Sequence, residues 1–173
     1  DKEFTKKDLV TAYNSYGYQY SQNFGYSMEH PNLIEAIKFM QETNSPGGEF
    51  LQFDGMKERS KDELFDFLTE IKNAGIKLID LTFYGLENYH DKFAGRIGDY
   101  NLLMNTLEIA LSIGLNIEVG IPVIKENLDQ LNELVELFSN KNVDLFLSDS
   151  LIKRVALSIQ LNNSFLFKTI LVS

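Results

Sequence analysis

The sequence predicts an α/β fold built on parallel strands, and three patterns carry that prediction. Short runs of β-branched and aromatic residues alternate with segments of helical periodicity. Turn residues stand beside or just after several strand-like runs, at Asp54-Gly55, at Tyr84-Gly85 and at Pro122. The helical segments are long enough to be crossovers, and such alternation implies right-handed βαβ connections. An open doubly wound sheet and part of a (β/α) barrel both satisfy the pattern.

Residues 1–30 are the least regular. Tyr13, Tyr16, Tyr18, Tyr20 and Tyr26 form a Tyr-rich segment that reads as a strand or as a stacking platform for bases or sugars, the latter without basic residues nearby. Pro31 suits a first helical turn, and Leu33, Ile37 and Met40 follow at helical spacing. After Ser45-Pro46-Gly47-Gly48, Glu49–Phe53 is a short strand. Ser60 and Glu63 make a capping box for a helix with Leu64, Phe67, Leu68 and Ile71 inward and Gly75 as its cap. Lys77–Phe83 is the next strand. Asp99 is the expected N-cap of a helix carrying Leu103, Leu107, Ala110 and Leu111, ended by Gly114. Asn116–Ile124 is a β-branched strand with Pro122 near its exit. Glu126–Phe138 is expected as one helix with Leu128, Leu131, Val135 and Phe138 on a stripe, and Val143–Leu147 as a further strand. Leu151–Ser173 is apolar and reads equally as a strand, a helix or the cut end of a longer chain.

Composition bounds the function. The 173 residues are 44% hydrophobic and 12% aromatic, which places the chain in the globular class as one domain, 1–173. A net charge of −9 with scattered Lys and Arg argues against a nucleic-acid face. No apolar run approaches the roughly 20 residues that span a membrane, and a cytoplasmic location is expected. The chain has no cysteine, which removes disulfides, thiolate nucleophiles and thiolate metal ligands.

The stretch Ile76–Gly98 concentrates the candidate chemistry. Its strand leads through Tyr84-Gly85 into what reads as a polar loop with Glu87, His90, Asp91, Lys92 and Arg96, and α/β sheets place ligand sites beyond the carboxyl ends of strands. His90-Asp91 reads as a base with its orienting carboxylate, as two metal ligands of a hydrolase or aldolase-like barrel, or as a structural pair that caps the next helix. Asp80 lies inside a strand and needs a partner if buried. Alternation puts Glu118 on the same face as Asp80, and the two carboxylates, with Lys125 at the strand exit, would form an anionic pocket if that face is the interior.

Phe24–Leu147 resembles the core of radical S-adenosylmethionine (radical SAM) enzymes, partial or complete (β/α) barrels. Leu81–Leu134, LTFYGLENYHDKFAGRIGDYNLLMNTLEIALSIGLNIEVGIPVIKENLDQLNEL, is similar to that family's fourth strand, its Tyr-Gly turn, a His-Asp pair and the fifth strand running into a Lys-Glu-Asn turn. His30–Met40 is similar to its second helix, and Gln52–Gly75 to its third strand and helix. The resemblance implies a radical SAM-like partial barrel with parallel strands. It also implies a cofactor side formed by Gly25, Thr82 and Arg96, with Ile121 and Val123 along the adenine.

The departures are specific. The family holds a 4Fe–4S cluster on Cys-x3-Cys-x2-Cys, which this chain does not support. Of the family's Gly-Gly-Glu-Pro motif, expected at Phe24-Gly25-Tyr26-Ser27, only Gly25 remains, and Tyr26 replaces the glutamate. Gly47-Gly48-Glu49 lies one βα unit late and reads as a turn or as a displaced copy. Ala94 stands where many members carry arginine, with Arg96 two residues on. The expectation is a fragment or degenerate member, not competent for radical chemistry as this chain, whose parent would carry out S-adenosylmethionine-dependent radical modification, of a peptide or protein in one reading. The alternative is a non-catalytic module for a peptide or protein partner, or a homo-oligomer.

Overall fold

The computed structural model describes residues 29, 31–42, 48–53 and 55–148. The elements are helix α1 (Leu33–Glu42), strand β1 (Phe50–Gln52), α2 (Lys61–Ala74), β2 (Leu78–Thr82), α3 (Glu87–Ala94), α4 (Asp99–Ser112), β3 (Asn116–Pro122), α5 (Leu131–Ser139) and β4 (Asp144–Ser148). All strand pairs are parallel and the spatial order is β1-β2-β3-β4. Consecutive parallel strands joined by right-handed crossovers put every helix on the same side. The sheet is therefore singly wound, as in a partial (β/α) barrel, and the doubly wound alternative drops out. The Tyr-rich segment, Gly25, Asp54 and Leu151–Ser173 lie outside the described residues.

The two sheet faces differ sharply. Leu51, Phe53, Ile79, Leu81, Phe83, Ile117, Val119, Ile121 and Val123 alternate along the strands and are buried. They pack with Ile37 and Met40 of α1, Leu64, Leu68 and Ile71 of α2, Leu107 and Ala110 of α4, and Leu134 and Phe138 of α5. The intervening positions, among them Gln52, Asp80, Thr82, Glu118 and Gly120, are only partly buried. The hydrophobic helix-facing row accounts for the core, since each fully buried aliphatic or aromatic side chain contributes roughly 1.5–3 kcal/mol.

Local signals explain most boundaries. The capping box of α2 is present: Glu63 N–H donates to Ser60 Oγ at 3.3 Å, and Ser60 N–H donates to Glu63 Oε2 at 2.7 Å. Three expectations need correction. The polar loop after β2 is helix α3, whose single buried residue is a histidine, so it lacks an apolar stripe to announce it. The N-cap of α4 is Gly98, at φ +86°, while Asp99 is the first helical residue with its carboxylate engaged elsewhere. The expected helix Glu126–Phe138 is broken: Lys125–Asn127 is a short 3₁₀ turn and α5 starts at Leu131. Leu128 is 39% exposed and leaves the stripe, which runs through Leu131, Leu134 and Phe138.

The face assignment has a direct test by chemical denaturation. Leu81→Ala on the helix side should cost roughly 2–5 kcal/mol. Its neighbour Thr82→Ala on the opposite side should change stability by less than about 1 kcal/mol.

Candidate functional site

The carboxyl ends of β2 and β3 are joined by a network of polar side chains. The turn Phe83–Leu86 leaves backbone groups that no strand pairs, and three side chains from other segments take them up. Asn127, fully buried, donates its amide to the Tyr84 carbonyl at 2.9 Å and to the Pro122 carbonyl at 2.7 Å. Its Oδ1 accepts the Ile124 N–H at 3.0 Å. Gln130 Oε1 accepts the Leu86 N–H at 2.8 Å. His90 Nδ1, also fully buried, accepts the Tyr84 N–H at 3.1 Å. These duties of Asn127 and Gln130 are why the chain cannot run as one helix from Glu126. Gly85 is required by close approach: a Cβ there would lie 2.7 Å from the Tyr89 ring and 2.9 Å from Gln130 Oε1.

His90 continues the network into α4. Its Nε2 lies 2.9 Å from Asp99 Oδ2, and since Nδ1 accepts a backbone proton, the neutral ring carries its own proton on Nε2. Arg96 donates to the other Asp99 oxygen and to the Met56 carbonyl, tying the α3–α4 connection to the segment after β1. Burial alone would raise the Asp99 carboxyl, but the hydrogen bonds and charges of His90 and Arg96 outweigh it and hold the carboxyl below its usual range. Asp91 turns the other way and caps α4, accepting the Gly98 and Tyr100 N–H groups at 2.6 and 2.9 Å. The capping reading of the His-Asp pair is thus the one the geometry carries for Asp91. The two side chains diverge, so they do not form a base with its carboxylate or a shared metal site. Among the described residues no group of three or more His, Asp or Glu side chains is arranged to hold a metal ion.

The second feature is the polar sheet face. Strand register aligns Gln52, Asp80, Glu118 and Asp144 across all four strands, giving three adjacent carboxylates. Thr82 stands in register with Gly120 one pleat further on. A Cβ on Gly120 would lie 3.7 Å from Thr82 Oγ1 and 3.8 Å from Asp80 Oδ1, so the glycine leaves a notch flanked by a hydroxyl and a carboxylate. Burial, and then the charge of Asp144, push the Glu118 carboxyl above its usual range. Asp80 and Glu118 do share a face, as alternation predicts, and Asp144 is the third member that sequence reasoning passed over. Lys125 is exposed at the strand exit.

The sequence-derived cofactor candidates separate in space. Thr82 lies on the polar face beside the Gly120 notch. Ile121 and Val123 are wholly buried on the helix-facing side. Arg96 belongs to the Asp99 network, and Gly25 lies outside the described residues. Asn127 and Gln130 had no assigned role in the sequence, although the Lys-Glu-Asn turn was already singled out. A buried asparagine just past a strand exit was the signal available.

No family model matches the chain. It is similar to the sporulation killing factor maturation protein SkfB of Bacillus subtilis (strain 168), at 24% identity over 86 residues. That match covers 50% of this chain and spans only 20% of SkfB's own length. Among the described residues no helix is long and apolar enough to cross a membrane.

Two measurements probe the network. Asn127→Ala strands two carbonyls and one N–H, and should cost roughly 2–4 kcal/mol in urea denaturation at neutral pH. Because the Asp99 carboxyl is held low in the folded state, its contribution is complete above the unfolded carboxylate value of about 3.9 and is lost as pH falls through the lower folded value. The stability gap between the wild type and Asp99→Asn should accordingly persist above that unfolded value and close in strong acid.

Proposed function

We propose that this chain is a radical SAM-like scaffold whose polar sheet face receives the cationic end of S-adenosylmethionine, and whose own residues do not sustain radical chemistry. The observation that carries this reading is the row Asp80, Glu118 and Asp144 beside Thr82 and the Gly120 notch. S-adenosylmethionine carries a sulfonium and an ammonium, and charges attract more strongly on a partly desolvated face than in bulk water. The partial likeness to SkfB supports a radical SAM-like origin.

The residues fit the two halves of the family's cofactor set unequally. Carboxylates and a hydroxyl suit a cationic ligand, and Asp80, Glu118 and Thr82 are the groups that would hold it. A 4Fe–4S cluster is held by thiolates, and a chain with no cysteine does not fit it. In the family, reductive cleavage of bound S-adenosylmethionine supplies the reactivity, but the electron for it comes from the cluster. The role left to this chain is binding and orientation, with S-adenosylmethionine-dependent modification of a peptide or protein as the parent activity. Partner binding is the second reading, favoured by Ile97 at 97% and Phe93 at 51% exposure on the segment from α3 to the start of α4.

Titration calorimetry separates these readings. S-adenosylmethionine should bind, and S-adenosylhomocysteine, which lacks the sulfonium charge, should bind about tenfold more weakly, a difference near 1.4 kcal/mol. Glu118→Gln should weaken the first ligand more than the second, which keeps only the ammonium. Absence of binding at about millimolar ligand, where even a weak site fills, would leave the scaffold without this cofactor role.

A further inference from the structure

The network after β2 contains one group whose hydrogen-bonding sense reverses with a single proton. We infer that His90 makes the Tyr84–Leu86 turn an acid-sensitive latch, closed while the imidazole is neutral and released when Nδ1 takes up a proton. The inference rests on the ring's two bonds. Nδ1 accepts the Tyr84 N–H at 3.1 Å, and a protonated Nδ1 would set one donor against another. The ring is fully buried. It is wedged against Phe83, Tyr84 and Tyr100, with centroids at 5.7, 5.7 and 5.9 Å.

The charges around the ring come from every element packed on it. From α4, Asp99 accepts at Nε2 and its anion favours the imidazolium, while the Tyr100 phenol is pushed up by burial, then by Glu87 and Glu133, and stays neutral. From the α3–α4 connection, Arg96 shares Asp99 and opposes the imidazolium. On α3 itself, Glu87 bonds Asn101, and Asp91 is occupied with the α4 amides. From α5, Glu133 lies near enough to bear on Tyr100. Asp99 stays ionised in mild acid, so the Nε2 bond survives protonation of the ring and the bond to Tyr84 alone is lost. The consequence is local: the turn lies directly past Thr82, so its release loosens the rim of the polar face without dismantling the core.

Nuclear magnetic resonance on the full chain tests this, following the His90 ring nitrogens and backbone amide exchange from about pH 8 to about pH 5, where histidines as a class change charge. The neutral ring should carry its proton on Nε2. As the ring titrates, Tyr84 amide protection, corrected for intrinsic exchange, should fall by at least about tenfold, as expected of local opening. The Ile124 amide on Asn127 and the Ile79 amide in the core should keep theirs. In His90→Gln, Tyr84 protection should not vary with pH; if that variant fails to fold, the wild-type comparison of Tyr84 with Ile124 and Ile79 decides alone. A neutral ring protonated on Nδ1, a ring that does not titrate over this range, unchanged Tyr84 protection through the titration, or simultaneous loss at Ile79 would each overturn the latch.

Discussion

The carbonyl of Tyr84 and the carbonyl of Pro122 share one donor side chain, and the carboxyl end of the sheet depends on that sharing. Parallel strands end in turns whose backbone groups have lost their ladder partners, and a buried turn cannot leave them to solvent. Asn127 supplies two N–H groups and one oxygen from a single planar amide, meeting three backbone groups on two strand exits at once. An asparagine is the side chain of this length that both donates twice and accepts. Aspartate keeps only the accepting side and would face two carbonyls with its charge.

From that anchor the remaining contacts follow in sequence. Because Asn127 and Gln130 are committed to the turn after β2, helix α5 begins at Leu131, and its apolar stripe passes through Leu134 to Phe138. Phe138 then meets Phe83 with ring centroids 4.7 Å apart, so the end of β2 is packed by the same segment that satisfies its backbone. On the other flank, His90 and Asp99 bring α3 and α4 against the turn, and Arg96 extends the tie to Met56. Polar specificity and apolar packing converge on four residues of turn.

How much of this was legible depended on whether a residue's role was set by its neighbours in sequence or by distant ones. The strands, the α2 capping box and the shared face of Asp80 and Glu118 are local or alternating patterns, and each was readable from Ser60, Glu63 and the β-branched runs. Helix α3 was not, because its buried position is His90, a residue that hydropathy counts as polar. The break before α5 was not either, since Tyr84 and Leu86, which bond Asn127 and Gln130, stand 43 and 44 positions back along the chain on another strand exit. Asp99 was misread as a cap for a related reason: its carboxylate is claimed by His90 and Arg96, and Asp91 caps in its place. The five cofactor positions that the radical SAM resemblance implies are divided between the two sheet faces, the α3–α4 connection and the residues outside the described ones.

That scatter bears on what the scaffold retains. The helix-facing side of the sheet is closed by the fully buried Ile121 and Val123, and the acidic side chains stand on the polar face. There burial first, and then the charge of Asp144, push the Glu118 carboxyl above its usual range. Asp80 and Glu118 are partly buried and Asp144 is exposed, and carboxylates side by side cost free energy unless cations or hydrogen bonds offset them. The absence of cysteine removes thiolate cluster ligands from this chain, but it leaves untouched the electrostatics of the polar face, and the two are separable properties of the fold.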